Sequence, residues 1–146
     1  MVDGSLYHTY VKNEAGLVGE SYVEGNQGLA LGVSSSLIDA PGANPEQFIG
    51  FALSTCFNAT LRIVEHREKM AEDAQVRTRV DIVKDNPGYK FIVEAQILMP
   101  SLDTETAQHV IDTALDECPV AKLLKDNDTV TFRLVDAFTD EPELGE

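Results

Sequence analysis

The sequence predicts an α+β fold in which antiparallel sheet packs on long helices. Three observations carry that reading. One long apolar helix has a strong start signal, hairpin-forming runs lie on both sides of it, and strands and helices do not alternate as a doubly wound parallel sheet requires. With 146 residues the chain suits a single domain over 1–146 and can bury a sizeable core.

The helix runs from Asn44 to about Met70. Asn44 can cap the free amides of the first turn, and Pro45 suits the first helical position, where its missing N–H costs nothing. Gln47, three residues past the cap, can reach back to the cap's own N–H and complete a capping box. From Phe48 to Ala59 the helix is apolar around most of its circumference, then turns charged from Arg62 to Lys69. Such a helix needs cover on nearly every side. At ~38 Å it is either a central core helix or packs on its twin from a second chain.

Ahead of the helix, residues 6–12 read as a strand, and Asn13 to Gly16 as a turn. Residues 17–24 and 28–34 form an expected hairpin across Glu24 to Gly28, where Gly and Asn supply positive φ. After the helix, Val76 to Val83 and Tyr89 to Met99 alternate with a period of two. The segment Lys84-Asp85-Asn86-Pro87-Gly88 turns between them, giving a second hairpin with one apolar face for the helix to cover. A second amphipathic helix is expected from Thr104 to Glu117, with Asp103 as its cap. Pro119 disfavours helix at Cys118 and can itself restart a short helix to about Lys125. Thr129 to Val135 reads as a final strand, giving the order β-β-β-α-β-β-α-β.

The formal charge of −14, with eleven Lys and Arg against 25 Asp and Glu, argues against nucleic acid as a partner. Part of that acid lies in the tail from Asp140 to Glu146. No run reaches the ~20 apolar residues of a membrane span, and Met1 to Ser5 lacks the features of a signal peptide. These points predict a soluble, cytoplasmic protein with no membrane partner. His8, His66 and His109 are scattered away from metal-ligand spacing, so no metal is expected. No phosphate-binding or nucleotide-binding glycine motif occurs, and no cofactor is expected.

Two cysteines remain, Cys56 inside the apolar half of the helix and Cys118 just before Pro119. In a reducing compartment a bridge between them would be catalytic or redox-sensing, and two unrelated buried thiols are the other reading. Cys118 would lie at the start of the short helix, where the dipole favours a thiolate. Cys56, mid-helix in apolar surroundings, should have a raised pKa unless a donor or cation offsets burial.

The set Asn44-Pro45-Glu46-Gln47, then Cys56-Phe57 in the same helix, then Cys118-Pro119 resembles the OsmC/Ohr family (osmotically induced protein C and organic hydroperoxide resistance protein). The element order matches that family too. The resemblance implies an intertwined homodimer with antiparallel sheets wrapped around paired central helices. It implies a thiol-dependent peroxidase that protects against oxidative stress: Cys56 attacks the hydroperoxide and becomes a sulfenic acid, and Cys118 resolves it as a redox-active disulfide. A lipoyl-type dithiol or a small thiol would then restore the pair. Phe48, Phe51, Leu53 and Phe57 are candidates to line an apolar site suited to organic hydroperoxides, core packing being the other role open to each. Glu46 corresponds to the family's active-site glutamate. It stands ten residues before Cys56, ~15 Å of helical rise, so a shared site would take Glu46 from the partner subunit. The family's arginine in the first hairpin has no counterpart here: Leu17 stands at about its position, and Lys12 is the one Lys or Arg before the helix. The alternative function is an apolar-ligand-binding or redox-sensing dimer of the same fold with little peroxidase turnover.

Overall fold

The structure is a computed structural model that describes residues 3–25 and 29–139. The tip of the first expected hairpin (26–28) and the acidic tail (140–146) lie outside the described residues. By its internal contacts the chain divides into two units, Met1–Phe48 and Ile49–Glu146.

The first unit is a small antiparallel sheet of β1 (Val11–Asn13), β2 (Glu20–Val23) and β3 (Ala30–Gly32), in the order β1-β2-β3. The strand expected over 6–12 is reduced to the three residues of β1. Alternation marks a chain that can lie in a sheet, but a strand needs a neighbour to bond. Within the described residues β2 pairs only with Val11 to Asn13 on that side. Upstream, Leu6, Tyr7 and Tyr10 are exposed. Residues Gly16–Val18 form a short 3₁₀ turn where the next strand was expected to begin. Asn13 closes this turn by accepting from the Gly16 N–H and donating to the Gly16 carbonyl, both at 2.9 Å. Beyond β3, Gly42 passes so close to Val33 that a Cβ would sit 2.9 Å from the Val33 carbonyl carbon, and its φ of +129° excludes side chains as well. This approach lets Ala43 donate to the Gly32 carbonyl at 2.8 Å, and delivers the chain to Asn44.

Helix α1 (Pro45–Arg67) starts as its sequence requires. Asn44 accepts from the Gln47 N–H at 2.9 Å while the Gln47 side chain accepts from the Asn44 N–H at 3.0 Å. It ends three residues earlier than expected, in a Schellman turn. Lys69 takes φ +60°, Met70 donates to the Glu65 carbonyl at 2.8 Å and Lys69 to that of His66 at 3.1 Å. Here a lysine occupies the left-handed position that glycine usually fills, so the sequence carried no stop signal.

The second unit holds the core. Strands β4 (Gln75–Lys84) and β5 (Tyr89–Leu98) pair antiparallel through the expected turn, and the register sets Val76, Thr78, Val80 and Ile82 opposite Ile97, Ala95, Val93 and Phe91. The two predicted apolar faces are therefore one face. Helix α2 (Thr104–Glu117) begins with Asp103 accepting from the Thr106 N–H at 2.8 Å, and α3 (Pro119–Leu124) restarts at Pro119. Strand β6 (Val130–Val135) pairs with β5, and this pairing is parallel, not the hairpin type that dominates elsewhere. Parallel neighbours need a crossover of a dozen or more residues, which α2 and α3 supply. Leu53, Phe57, Leu61 and Val64 on one stripe of α1 share a buried cluster with Val93, Ala95 and Ile97 of β5 and Ala107, Val110, Ile111 and Ala114 of α2. Phe57 meets Phe132 of β6 at 5.0 Å between ring centroids; burying one such side chain stabilises by about 1.5–3 kcal/mol. Within this unit the rest of α1 is not covered as its composition led us to expect: Phe51, Ala52, Thr55, Ala59 and Ile63 are exposed.

Candidate active site

Cys56 and Cys118 come together although 62 positions separate them. The Cys118 thiol donates toward Cys56 Sγ at a sulfur–sulfur distance of 3.5 Å, and both thiols are free. The contact follows from the core. Cys56 lies one residue before Phe57 and is part-buried beside the α1 stripe, while Cys118 is fully buried between α2 and α3. Arg67 of α1 donates both terminal nitrogens to Glu117, the residue before Cys118, with one bond at 3.0 Å. The end of α2 is thus tied to the C-terminal end of α1, one residue before Cys118.

The backbone holds Cys118 on both sides. Its N–H donates to the Ala114 carbonyl at 2.8 Å, closing α2, and its carbonyl accepts from the Lys122 N–H at 2.9 Å, opening α3. Cys56 sits in mid-helix, and the Thr60 hydroxyl donates to its carbonyl at 3.0 Å. Burial pushes the Cys56 thiol above its ordinary range, the Val120 N–H draws it back, and Cys118 adds to the rise. The raised pKa is the one its mid-helix position predicts. The Val120 amide was not anticipated, though a signal for it exists. At the start of a helix Cys-Pro-Val has no N–H on the proline, so the first free amide belongs to the valine.

The other predicted residues lie as follows. Glu46 is in the first turn of α1. Phe48 is half-buried, Phe51 is 71% exposed, and Phe57 and Leu53 are sealed in the core. Leu17 stands in the 3₁₀ turn of the first unit, and Lys12 pairs with Glu14 at 3.1 Å. Arg62 donates to the carbonyls of Ala74, at 3.0 Å, and Glu72. Sequence reasoning passed over Glu65, which is completely buried on α1. Among the described residues no group meets its carboxyl oxygens in full hydrogen-bond geometry; the backbone amides of Ala74 and Asp73 act on it only weakly, and Arg62 Nε stands 3.8 Å away. No group of three or more His, Cys, Asp or Glu among the described residues is placed to hold a metal ion, and no helix there is long and apolar enough to cross a membrane.

A buried thiol 3.5 Å from a part-exposed one lies about 1.5 Å short of the roughly 2.05 Å bond of a disulfide. Comparison with known proteins bears on what such a pair is for. The family model for OsmC-like proteins matches residues 38–133. The organic hydroperoxide resistance protein OhrB of Bacillus subtilis is 30% identical over 95 residues, covering 64% of this chain and 70% of that protein. Its crystal structure superposes with a TM-score of 0.78 over 90% of this chain and all of that one, at 25% identity. Peroxiredoxin OsmC of Escherichia coli is 28% identical over 102 residues, 64% of this chain and 68% of that protein. A crystal structure assigned as a redox protein of Lactobacillus casei reaches 36% identity and a TM-score of 0.87, over 94% of this chain and 96% of that one.

Proposed function

This chain belongs to the OsmC-like protein family, and on that premise we propose that it reduces organic hydroperoxides with Cys56 as the attacking thiol and Cys118 as the resolving one. The observation that carries the reading is the 3.5 Å approach of a part-exposed sulfur to a buried one. The Cys56 thiolate attacks the terminal oxygen of the hydroperoxide. The O–O bond breaks, the alkoxide leaves and takes a proton as the alcohol, and Cys56 becomes a sulfenic acid. Cys118 then displaces hydroxide from that sulfur, which departs as water, and the disulfide forms. A dithiol of the lipoyl type, or a small thiol, restores both cysteines.

We assign the working unit as a homodimer, with Glu46 supplied across the interface and Phe48 and Phe51 facing the substrate. Phe57 does its packing work in the core. Support for a second copy comes from the apolar side chains left uncovered. In the first unit Leu6, Tyr7, Tyr10, Val18 and Leu29 are all exposed, and in the second the α1 stripe from Phe51 to Ile63 is bare. Patches of that kind mark association surfaces.

The test is consumption of cumene hydroperoxide with dihydrolipoamide as reductant. Wild type turns over, Cys56→Ser abolishes consumption, and Cys118→Ser allows one sulfenic acid per chain but no internal disulfide. Equal rates for wild type and Cys56→Ser would end the enzymatic reading. The raised Cys56 pKa favours a second reading, a redox-sensing or apolar-ligand-binding dimer. It is distinguished by stoichiometric oxidation of Cys56 without sustained turnover.

A further inference from the structure

We infer that the reductant enters the oxidised pair at Cys56 and never at Cys118, which makes Cys118 the leaving sulfur in re-reduction as well as the resolving sulfur in oxidation. This rests on the redox pairing proposed above and adds to it the direction of electron return. Thiol–disulfide exchange needs the incoming thiolate in line with the S–S bond, at a sulfur it can reach.

In the reduced protein Cys118 has no exposed surface, whereas Cys56 has some. Disulfide formation does not reverse that difference. The backbone of Cys118 is fixed by its bonds to Ala114 and Lys122, and the sulfurs already lie at 3.5 Å. Closing to a bond of about 2.05 Å needs no unwinding. Cys118 therefore stays sealed in the oxidised state, and Cys56 is the one open end.

The exchange balances as follows. A thiolate of the dithiol attacks Cys56 Sγ. The Cys56–Cys118 bond breaks, its electron pair goes to Cys118 Sγ, and that sulfur takes a proton. A mixed disulfide now joins Cys56 to the reductant. The second thiolate of the same molecule attacks its own first sulfur and releases Cys56. The protein disulfide has gained two electrons, and the dithiol leaves as a cyclic disulfide.

The experiment starts from full-length protein oxidised with diamide, which forms the disulfide whether or not the protein turns over peroxide. A failure of the peroxidase reading is thereby kept separate from a failure of this one. The oxidised protein is pulsed with excess 2-mercaptoethanol, quenched in denaturant with N-ethylmaleimide and digested with trypsin. Cleavage after Arg62 and Lys90 places Cys56 and Cys118 in different peptides. The expected result is mercaptoethanol on Cys56 and maleimide on Cys118, exceeding the reverse pattern by about tenfold or more. Equal or reversed labelling overturns the proposal.

A second measurement decides the matter where the mixed disulfide recloses too fast to trap. Native Cys118→Ser, which keeps Cys56, should react with 2,2′-dithiodipyridine about a hundredfold faster than native Cys56→Ser, with the two rates equal in guanidinium. Equal native rates overturn the inference.

Discussion

Cys56 is pulled in two directions by its surroundings. Burial pushes its thiol up, the Val120 amide draws it down, and among the described residues no cation joins these influences. The reactive species is the thiolate, so the sign is direct: the fraction ionised grows as pH rises through the raised value. Single-turnover sulfenic acid formation should still be climbing above about pH 8.5, the ordinary thiol pKa. A plateau reached by neutral pH would show that a cation does act on the sulfur. Glu65 gives a second residue-level prediction. Burial raises its pKa above the usual carboxylate range, with the amides of Ala74 and Asp73 and the charge of Arg62 only partly opposing. The folded chain thus holds the Glu65 proton more tightly than the unfolded one. Its contribution to stability falls as pH rises from about 4.3 through the folded value. Glu65→Gln removes that titration. In urea melts the variant should therefore gain on wild type as pH rises above about 4.3. A difference independent of pH would show the carboxyl ionised throughout.

At the scale of elements, the thiol pair depends on how α1 meets α2. Arg67 and Glu117 join the two helices one residue from Cys118, and His109 of α2 approaches Glu68, just past the end of α1, at 3.0 Å. These pairs lie at the surface, where ion pairs contribute little to stability, so their value is in alignment. Arg67→Ala should leave the melting temperature nearly unchanged while slowing disulfide closure after a peroxide pulse by about two- to tenfold. Closure at the wild-type rate would assign alignment to the core alone. The opposite sheet face shows a related arrangement. Arg77 donates to Gln96 at 2.9 Å, Gln96 to Glu94 at 2.8 Å, and Arg133 to Glu94 at 3.0 Å, crossing β4, β5 and β6. This polar row leaves the other face to the core and fixes which side of the sheet α1 covers.

For the whole molecule the leading question is association. A chain that leaves Tyr7, Tyr10, Val18, Phe51 and Ile63 in water has apolar surface to bury, and a second copy can cover like with like around a two-fold axis. Sedimentation equilibrium should give a mass near twice 16.0 kDa. The double variant Phe51→Glu with Ile63→Glu should shift the protein toward monomer and cut turnover sharply while far-UV circular dichroism is kept. A dimer unaffected by both charges would move the interface away from α1.

Local chemistry made much of this legible in the sequence. The Asn44–Gln47 capping box, the matched apolar faces of β4 and β5, the break at Cys118 and the restart at Pro119 each depend on residues within a few positions of one another. The spacing of the two cysteines within those elements supported the likeness to a redox family. Other features depend on distant parts of the chain. The parallel entry of β6, the shortening of the first strand, the buried carboxyl of Glu65 and the Val120 amide at Cys56 all require knowing what lies alongside. The 3.5 Å between the sulfurs is of the same kind. A sequence sets which groups can bond, but a distance across 62 positions is fixed only when α1, α2 and the sheet close on one core.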